Sequence, residues 1–319
     1  MQKKLRLGVV GCGLAASKLH GTGYKELEEI ELVACTDRER NFESRTVPVA
    51  AEFGARAYKN VDEMLTDDSI EAVDVCVKEP GHFEIARKAL LAGKHVLCEK
   101  ALTDDLASAR QLESIAKDKG LKFMVNYNYR YMATVVELKS RIDAGEFGDL
   151  AFISICGHGY TFHHSIDLMR YLCGEVTAVQ GTYILDGKPF LYPLGDWVYT
   201  APHAKAAIFR FENGGLGTIT GTDKVANDFP LMSLTYAGTK AQTAYSDLVG
   251  DMNHIGDEGS LFNKTFPLVL KDFARSILDD VTPPITARDG IRALELEDAI
   301  SQSHRLNTTV APYHLIDEE

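Results

Sequence analysis

The stretch Leu5-Arg6-Leu7-Gly8-Val9-Val10-Gly11-Cys12-Gly13-Leu14-Ala15-Ala16 decides the fold of the first half of the chain. An apolar run from Leu5 to Val10 enters a glycine pair, and a helix-like segment leaves it. A strand, tight turn and helix in this order are how a chain prepares to hold a pyrophosphate. Gly11 permits the turn, and Gly13 lets the backbone approach the phosphates with no Cβ in the way. The backbone of Gly11, Gly13, Leu14 and Ala15 is the expected cradle, with the N–H groups that open the helix directed at the anion. The third small residue, where helix and strand pack closely, is Ala16 instead of glycine.

Working outward, a second apolar run, Ile30-Glu31-Leu32-Val33-Ala34-Cys35, ends at Thr36-Asp37-Arg38. An acidic residue at the end of the second strand is where a ribose presents its hydroxyl pair. Asp37 would accept from both hydroxyls and repel a 2′-phosphate, which points to NAD. Arg38 keeps NADP open, because a guanidinium binds a phosphate or stacks on adenine.

The 319 residues are 45% hydrophobic and 25% charged, an ordinary globular balance with length for two domains. A formal net charge of -12 repels nucleic acid and anionic lipid, so the expected partner is a small molecule, with no nucleic acid and no membrane. Six scattered cysteines without a C-x-x-C pair read as reduced thiols of a cytoplasmic protein. The first apolar run is short and broken by glycines, so it reads as a strand and not a signal peptide. No run approaches the roughly 18 apolar residues of a membrane span.

Residues 1–125 alternate strand-like segments (5–10, 30–35, 72–77, 95–98, 122–125) with helix-like ones (15–27, 45–53, 61–65, 83–91, 105–117). Gly93 and Gly120 close two of the helices at C-cap positions. Such alternation predicts an α/β domain, a parallel sheet with helices on both faces. Residues 126–319 form the second expected domain. A helix is predicted over 133–144 and another beginning near His164. Strands follow over 176–185, 204–211, 216–222, 231–236 and 242–246, then helices over 262–278 and 288–306. Asn213-Gly214-Gly215 between two alternating runs is a hairpin signal. This half reads as α+β with a largely antiparallel open sheet. The exposed face of such a sheet needs covering, which predicts a homodimer or homotetramer. Tyr192, Trp197 and Tyr199 are candidates for that interface, the core or a substrate wall.

With Leu97-Cys98-Glu99-Lys100 closing segment 95–98, the chain resembles the Gfo/Idh/MocA oxidoreductases, the family of glucose–fructose oxidoreductase and inositol dehydrogenase. Three landmarks carry the resemblance: the glycine turn, Ala92-Gly93-Lys94-His95-Val96-Leu97-Cys98-Glu99-Lys100, and His164-Ser165-Ile166-Asp167-Leu168. The resemblance implies a Rossmann domain followed by an open-sheet domain, and a hydride transfer between NAD and a hydroxyl or keto carbon of a sugar, sugar derivative or cyclitol. It implies that Lys100 lies beside the nicotinamide and the substrate hydroxyl, taking or giving a proton. Lys100 closes a strand, and open α/β sheets bind ligands beyond the carboxyl ends of their strands. Glu99 and the loop residues Val77, Glu79 and His82 are implied neighbours of the cofactor. His164 is implied to contact the substrate and assist the proton, and Asp167, one turn later, orients an imidazole or caps the helix. His158, His163 and His164 form a histidine-rich stretch, but no pattern of acidic or thiol ligands accompanies it, and no metal is expected.

The chain departs from the family at three places. Val77-Lys78-Glu79 stands where Thr-Pro-Asn is common. Ala101 follows Glu99-Lys100 where proline is usual, which softens the turn that aims the lysine. Tyr160 stands where an aspartate often precedes the motif histidine by four residues, in a shortened interval 148–164. Tyr160 as a proton donor, or His163, would replace that acid. Substrate contacts are accordingly expected from Lys100, Tyr160, His163, His164 and Asp167. Two other readings stay open: redox-assisted cleavage of a sugar with NAD retained, and a regulatory homologue that binds without turnover.

Overall fold

A computed structural model describes residues 3–184, 190–191, 198–199, 204–222, 231–249 and 260–313. Tyr192, Trp197 and the side chains of Tyr160 and Tyr199 lie outside the described residues. The chain divides into two compact units, one of Met1–Tyr131 with His254–Arg292, the other of Met132–Asn253 with Ala293–Glu319. The segment from His254 to Arg292 therefore counts with the first unit, although it follows the second sheet in the chain.

In the first unit six strands form one parallel sheet: β1 (Leu5–Val10), β2 (Ile30–Thr36), β3 (Arg56–Tyr58), β4 (Ala72–Val75), β5 (His95–Cys98) and β6 (Phe123–Val125), in the order β3-β2-β1-β4-β5-β6. Leu5, Leu7 and Val9 of β1 and Ala72, Val73 and Val75 of β4 are fully buried, as expected for strands covered on both faces. The helices are α1 (His20–Glu26), α2 (Val47–Phe53), α3 (Val61–Leu65), α4 (His82–Leu91), α5 (Leu106–Asp118) and, from later in the chain, a helix over Thr265–Leu278 that packs on α1. Gly93 and Gly120 close α4 and α5 with positive φ. The helix expected over 15–27 is divided: a wide π-type turn, Ala15–Leu19, precedes α1. Three-residue β3 was absent from the sequence reading, being too short to carry a period.

Register positions the site. Val10 of β1 is level with Thr36 of β2 and with Val75 of β4, and Val75 is level with Cys98 of β5. The next residues, Gly11, Asp37, Cys76 and Glu99, therefore emerge along one edge.

The second unit holds α6 (Ala133–Asp143), β7 (Leu150–Gly157), α7 (Phe162–Cys173), β8 (Val176–Ile184), the short pair β9 (Phe190–Leu191) and β10 (Val198–Tyr199), β11 (Ala204–Phe211), β12 (Leu216–Thr222), β13 (Met232–Gly238) and β14 (Gln242–Tyr245). Its six-stranded sheet runs β14-β13-β7-β12-β11-β8, antiparallel except for β7 against β12. The hairpin at Asn213-Gly214 forms as the sequence predicts, with Gly214 at φ +87°. Central strand β7 was missed at 150–157, although its buried Ile153 and Ile155 alternate with less buried neighbours. Met169 of α7 packs against Gly217, and Ile300 and Ser303 pack against Gly181, so helices cover one face of this sheet. Numbering in chain order, the helix over Thr265–Leu278 is α8 and the last, Ala287–Leu306, is α9.

Candidate active site

The turn after β1 is wedged in place. Gly11 has φ +98°, and a Cβ there would lie 2.7 Å from the Cys76 carbonyl oxygen. Its N–H donates to the Thr36 carbonyl at 2.8 Å, tying the ends of β1 and β2. Gly13 is the opposite case: a Cβ built on it meets nothing within 4 Å. That open space beside a helical segment beginning at Leu14 and Ala15 is the room a pyrophosphate needs. Leu14 is exposed and Ala15 half-buried.

Asp37 is half-buried and braces the same turn. Its Oδ2 accepts from the Cys12 N–H at 2.9 Å, and its Oδ1 from the Arg38 N–H at 2.6 Å and Asn41 Nδ2 at 2.8 Å. The carboxylate is fixed at the strand end with acceptor capacity left over. Arg38 is exposed.

His82 is buried, not turned outward. One ring nitrogen lies 2.6 Å from the Ala101 carbonyl and the other 3.0 Å from the Val77 carbonyl. It straps the loop after β4, with half-buried Val77 and Glu79, to the turn that carries half-buried Lys100. The Lys100–Ala101 peptide is cis. The turn that lacks proline is thus gripped from outside, by a histidine one loop away.

Beneath this edge lies a polar network that the sequence reading did not find. Asp74, in the middle of β4, is fully buried. Its Oδ2 is 2.7 Å from His20 Nδ1 and accepts from the Tyr24 hydroxyl at 2.6 Å. His20 Nε2 is 2.9 Å from Glu99 Oε1, which also accepts from Asn126 Nδ2 at 2.6 Å. Burial alone would lower the His20 imidazole, but the Asp74 carboxylate, with a smaller contribution from Cys76, outweighs it and holds the ring well above its ordinary value of 6.5. Burial likewise pushes Glu99 up, and the hydrogen bond and charge of His20, with Lys100 and Asn126, bring it below its ordinary value. His20, Asp74 and Cys76 are of metal-ligating type and close together. Their polar atoms face one another in hydrogen bonds, including Cys76 Sγ to Asp74 Oδ1 at 3.4 Å. The available signal was one charged residue inside the apolar run Ala72-Val73-Asp74-Val75-Cys76-Val77.

The remaining candidates lie on α7 of the second unit. The helix begins at Phe162, with Thr161 at its N-cap. His164 and Asp167 are buried within it, beyond that N-cap. His163 Nδ1 pairs with Glu297 Oε1 of α9 at 2.5 Å, a partner the sequence reading did not name.

The model of an oxidoreductase family with an NAD-binding Rossmann fold, GFO/IDH/MocA, matches residues 5–127. Myo-inositol 2-dehydrogenase of Thermotoga maritima is 25% identical, covering 94% of this chain and 96% of its own. Scyllo-inositol 2-dehydrogenase (NAD+) of Bacillus subtilis is 25% identical over 96% of this chain and 95% of its own. The crystal structure of scyllo-inositol dehydrogenase from Lactobacillus casei with bound NAD(H) and scyllo-inositol shares the fold, with a TM-score of 0.79 at 21% identity, covering 97% of this chain and 99% of that one.

Proposed function

We propose that this chain, whose residues 5–127 match the family model, is a Gfo/Idh/MocA oxidoreductase that moves a hydride between NAD and a hydroxyl or keto carbon of a cyclitol, sugar or sugar derivative. The observation that carries the reading is the common edge: level strand ends present the glycine turn, Asp37, the Val77 loop and Glu99-Lys100 side by side. The residues fit the dinucleotide, because Gly13 leaves open the space that a side chain would fill. Gly11, Gly13, Leu14 and Ala15 hold the pyrophosphate, Asp37 the adenosine ribose, and Val77, Glu79 and Glu99 line the way to Lys100. NAD, when bound, accepts or gives the hydride. Lys100 Nζ takes the substrate hydroxyl proton in oxidation and returns it in reduction. His82, buried with a ring nitrogen beside each of the Val77 and Ala101 carbonyls, positions the loops at that edge. His164 is the second proton-handling candidate, by resemblance to the family motif.

The open face of the second sheet supports self-association. Its side chains include Ser154, Thr218, Ile208 and Gln180 in one row and Cys156, Thr220, Ala206 and Thr182 in the next. Ile208 and Ile184 are more than half exposed there. A broad, nearly uncharged face needs no partner of complementary charge, and a second copy of the chain suits it. Among the described residues no helix is long and apolar enough to cross a membrane. All six cysteines are free thiols, which supports a reducing, cytoplasmic setting.

The test is a titration of the purified protein with NAD+ and NADH by fluorescence or calorimetry, followed by a panel of cyclitols and sugars. Coenzyme binding with turnover on a polyol is expected, and Lys100→Ala is expected to lose about 10²-fold or more of it. Binding without turnover across the panel would overturn the enzymatic reading. Full activity in Lys100→Ala would remove the lysine from the chemistry.

A further inference from the structure

A charged triad inside an apolar sheet calls for a reason other than stability. Replacing a buried ion pair by packed apolar side chains is often neutral or stabilising. Asp74 occupies a strand position where valine would serve, with its two neighbours fully buried and apolar. What it gains is a second carboxylate facing His20, opposite Glu99. Both ring nitrogens lie within hydrogen-bond reach of carboxylate oxygens, at 2.7 and 2.9 Å. A neutral imidazole donates from one nitrogen only, and an imidazolium from both. Tyr24 and Cys76 donate to Asp74, and Phe266 lays an apolar ring 5.1 Å from the imidazole. Asn126 Nδ2 lies 3.3 Å from His20 Nε2 but donates to Glu99 Oε1 at the shorter 2.6 Å, which leaves the Nε2 proton directed at the same carboxylate. Lys100 adjoins Glu99 in the chain and brings its charge to that carboxylate, and its backbone N–H reaches Glu99 Oε2 at 3.3 Å.

We propose that His20 is a positioning residue for Lys100: as an imidazolium clamped between Asp74 and Glu99, it holds the Glu99 carboxylate in one place and so sets the turn from which Lys100 projects. The inference rests on the reading of Lys100 as the proton-handling group. Asp74 is the residue that makes the device work, because with one carboxylate the ring has no need of its second proton. Once the ring is neutral it donates to one carboxylate only, and with that proton on Nδ1 Glu99 keeps only the Asn126 amide and the backbone N–H of Lys100.

Two measurements test it. In the coenzyme-free protein, nitrogen NMR of His20 is expected to show both ring nitrogens protonated throughout the range of about pH 5 to 8, where free histidines titrate. A neutral ring at neutral pH in the wild-type protein overturns the proposal, and this result needs no variant to fold. In Asp74→Asn the amide oxygen still accepts from Tyr24, but the charge is gone. His20 is then expected to titrate within that range. The profile of kcat/KM should acquire a limb that falls as the ring deprotonates, by about tenfold to hundredfold for a displaced catalytic group. The coenzyme dissociation constant should stay within about twofold of wild type, because the cradle is untouched. A variant whose melting temperature drops while its pH profile runs parallel to wild type shows a structural role only. If Lys100→Ala keeps full turnover, the reading of the lysine fails while the His20 protonation result stands on its own.

Discussion

The two glycines of the turn should fail in different ways when each becomes alanine. At Gly11 the backbone has φ +98°, and the new Cβ would sit 2.7 Å from the Cys76 carbonyl oxygen, 2.8 Å from its carbon and 2.9 Å from Val77 N. These are backbone atoms at the end of β4 and just beyond, with no side chain that can swing aside. A left-handed conformation costs an L residue about 1–2 kcal/mol. Forcing atoms into a packed site adds about 1–3 kcal/mol. Gly11→Ala should therefore lose about 2–5 kcal/mol of stability, or roughly 5–15 °C in Tm at the usual scaling for a chain of this order. At Gly13 the Cβ meets nothing within 4 Å, so Gly13→Ala should melt within about 2 °C of wild type. Its cost falls on the ligand. Pushing the pyrophosphate off the backbone loses a charge-assisted hydrogen bond of about 1.5–3 kcal/mol, roughly ten- to hundredfold in Kd. Thermal melts and NADH fluorescence titrations on the two variants separate the effects. A Gly13→Ala protein that binds coenzyme as tightly as wild type would refute the placement of the phosphates. A Gly11→Ala protein with an unchanged Tm would refute the wedge.

His82→Ala removes the ring that lies between the Val77 and Ala101 carbonyls and should cost about 1–3 kcal/mol in a melt, with kcat falling more than coenzyme affinity. If both are unchanged, the strap between the loops has no role in holding Lys100. Ile208→Asp puts a charge in the middle of the open sheet face, and light scattering should then report a smaller particle than wild type; equal masses would argue against self-association through that face. The pH dependence of stability follows from the buried network. His20 is raised above 6.5, so its contribution is complete below that pH and drains away as the pH climbs toward the raised value. Glu99 is lowered below 4.5, so its contribution is complete above 4.5 and is lost as the pH falls through the lowered value. The network's stabilisation should therefore be fullest between those two pH values and decline on the alkaline side. An Asp74→Asn protein with the same alkaline decline as wild type would assign it elsewhere.

What could be read from the chain, and what could not, divides along a physical line. The cradle, Asp37, the C-cap glycines and the Asn213-Gly214 hairpin are local: backbone freedom at one position, or a period over a few residues, identifies each. Strand β7 is equally local, since its buried Ile153 and Ile155 alternate with less buried neighbours. The strap and the network are of another kind. His20 and Asp74 are 54 residues apart, and His20 and Glu99 are 79 apart. His82 reaches Ala101 across 19 residues, and His163 finds Glu297 on the last helix. A side chain's pairing over such distances is decided by sheet order and register, which bring β4 between β1 and β5. The identity of Asp74 was visible all along, as a charge where an apolar residue belongs. A carboxylate cannot sit in a sheet core without a cation or donors to meet it. That requirement narrows its partners to the few basic or hydroxyl side chains that open on the same edge, and His20 and Tyr24, on the helix that follows the glycine turn, are among the first the topology offers. A buried acid in an otherwise apolar parallel strand is thus a prompt to search the adjoining helices for a histidine, before any coordinates are at hand.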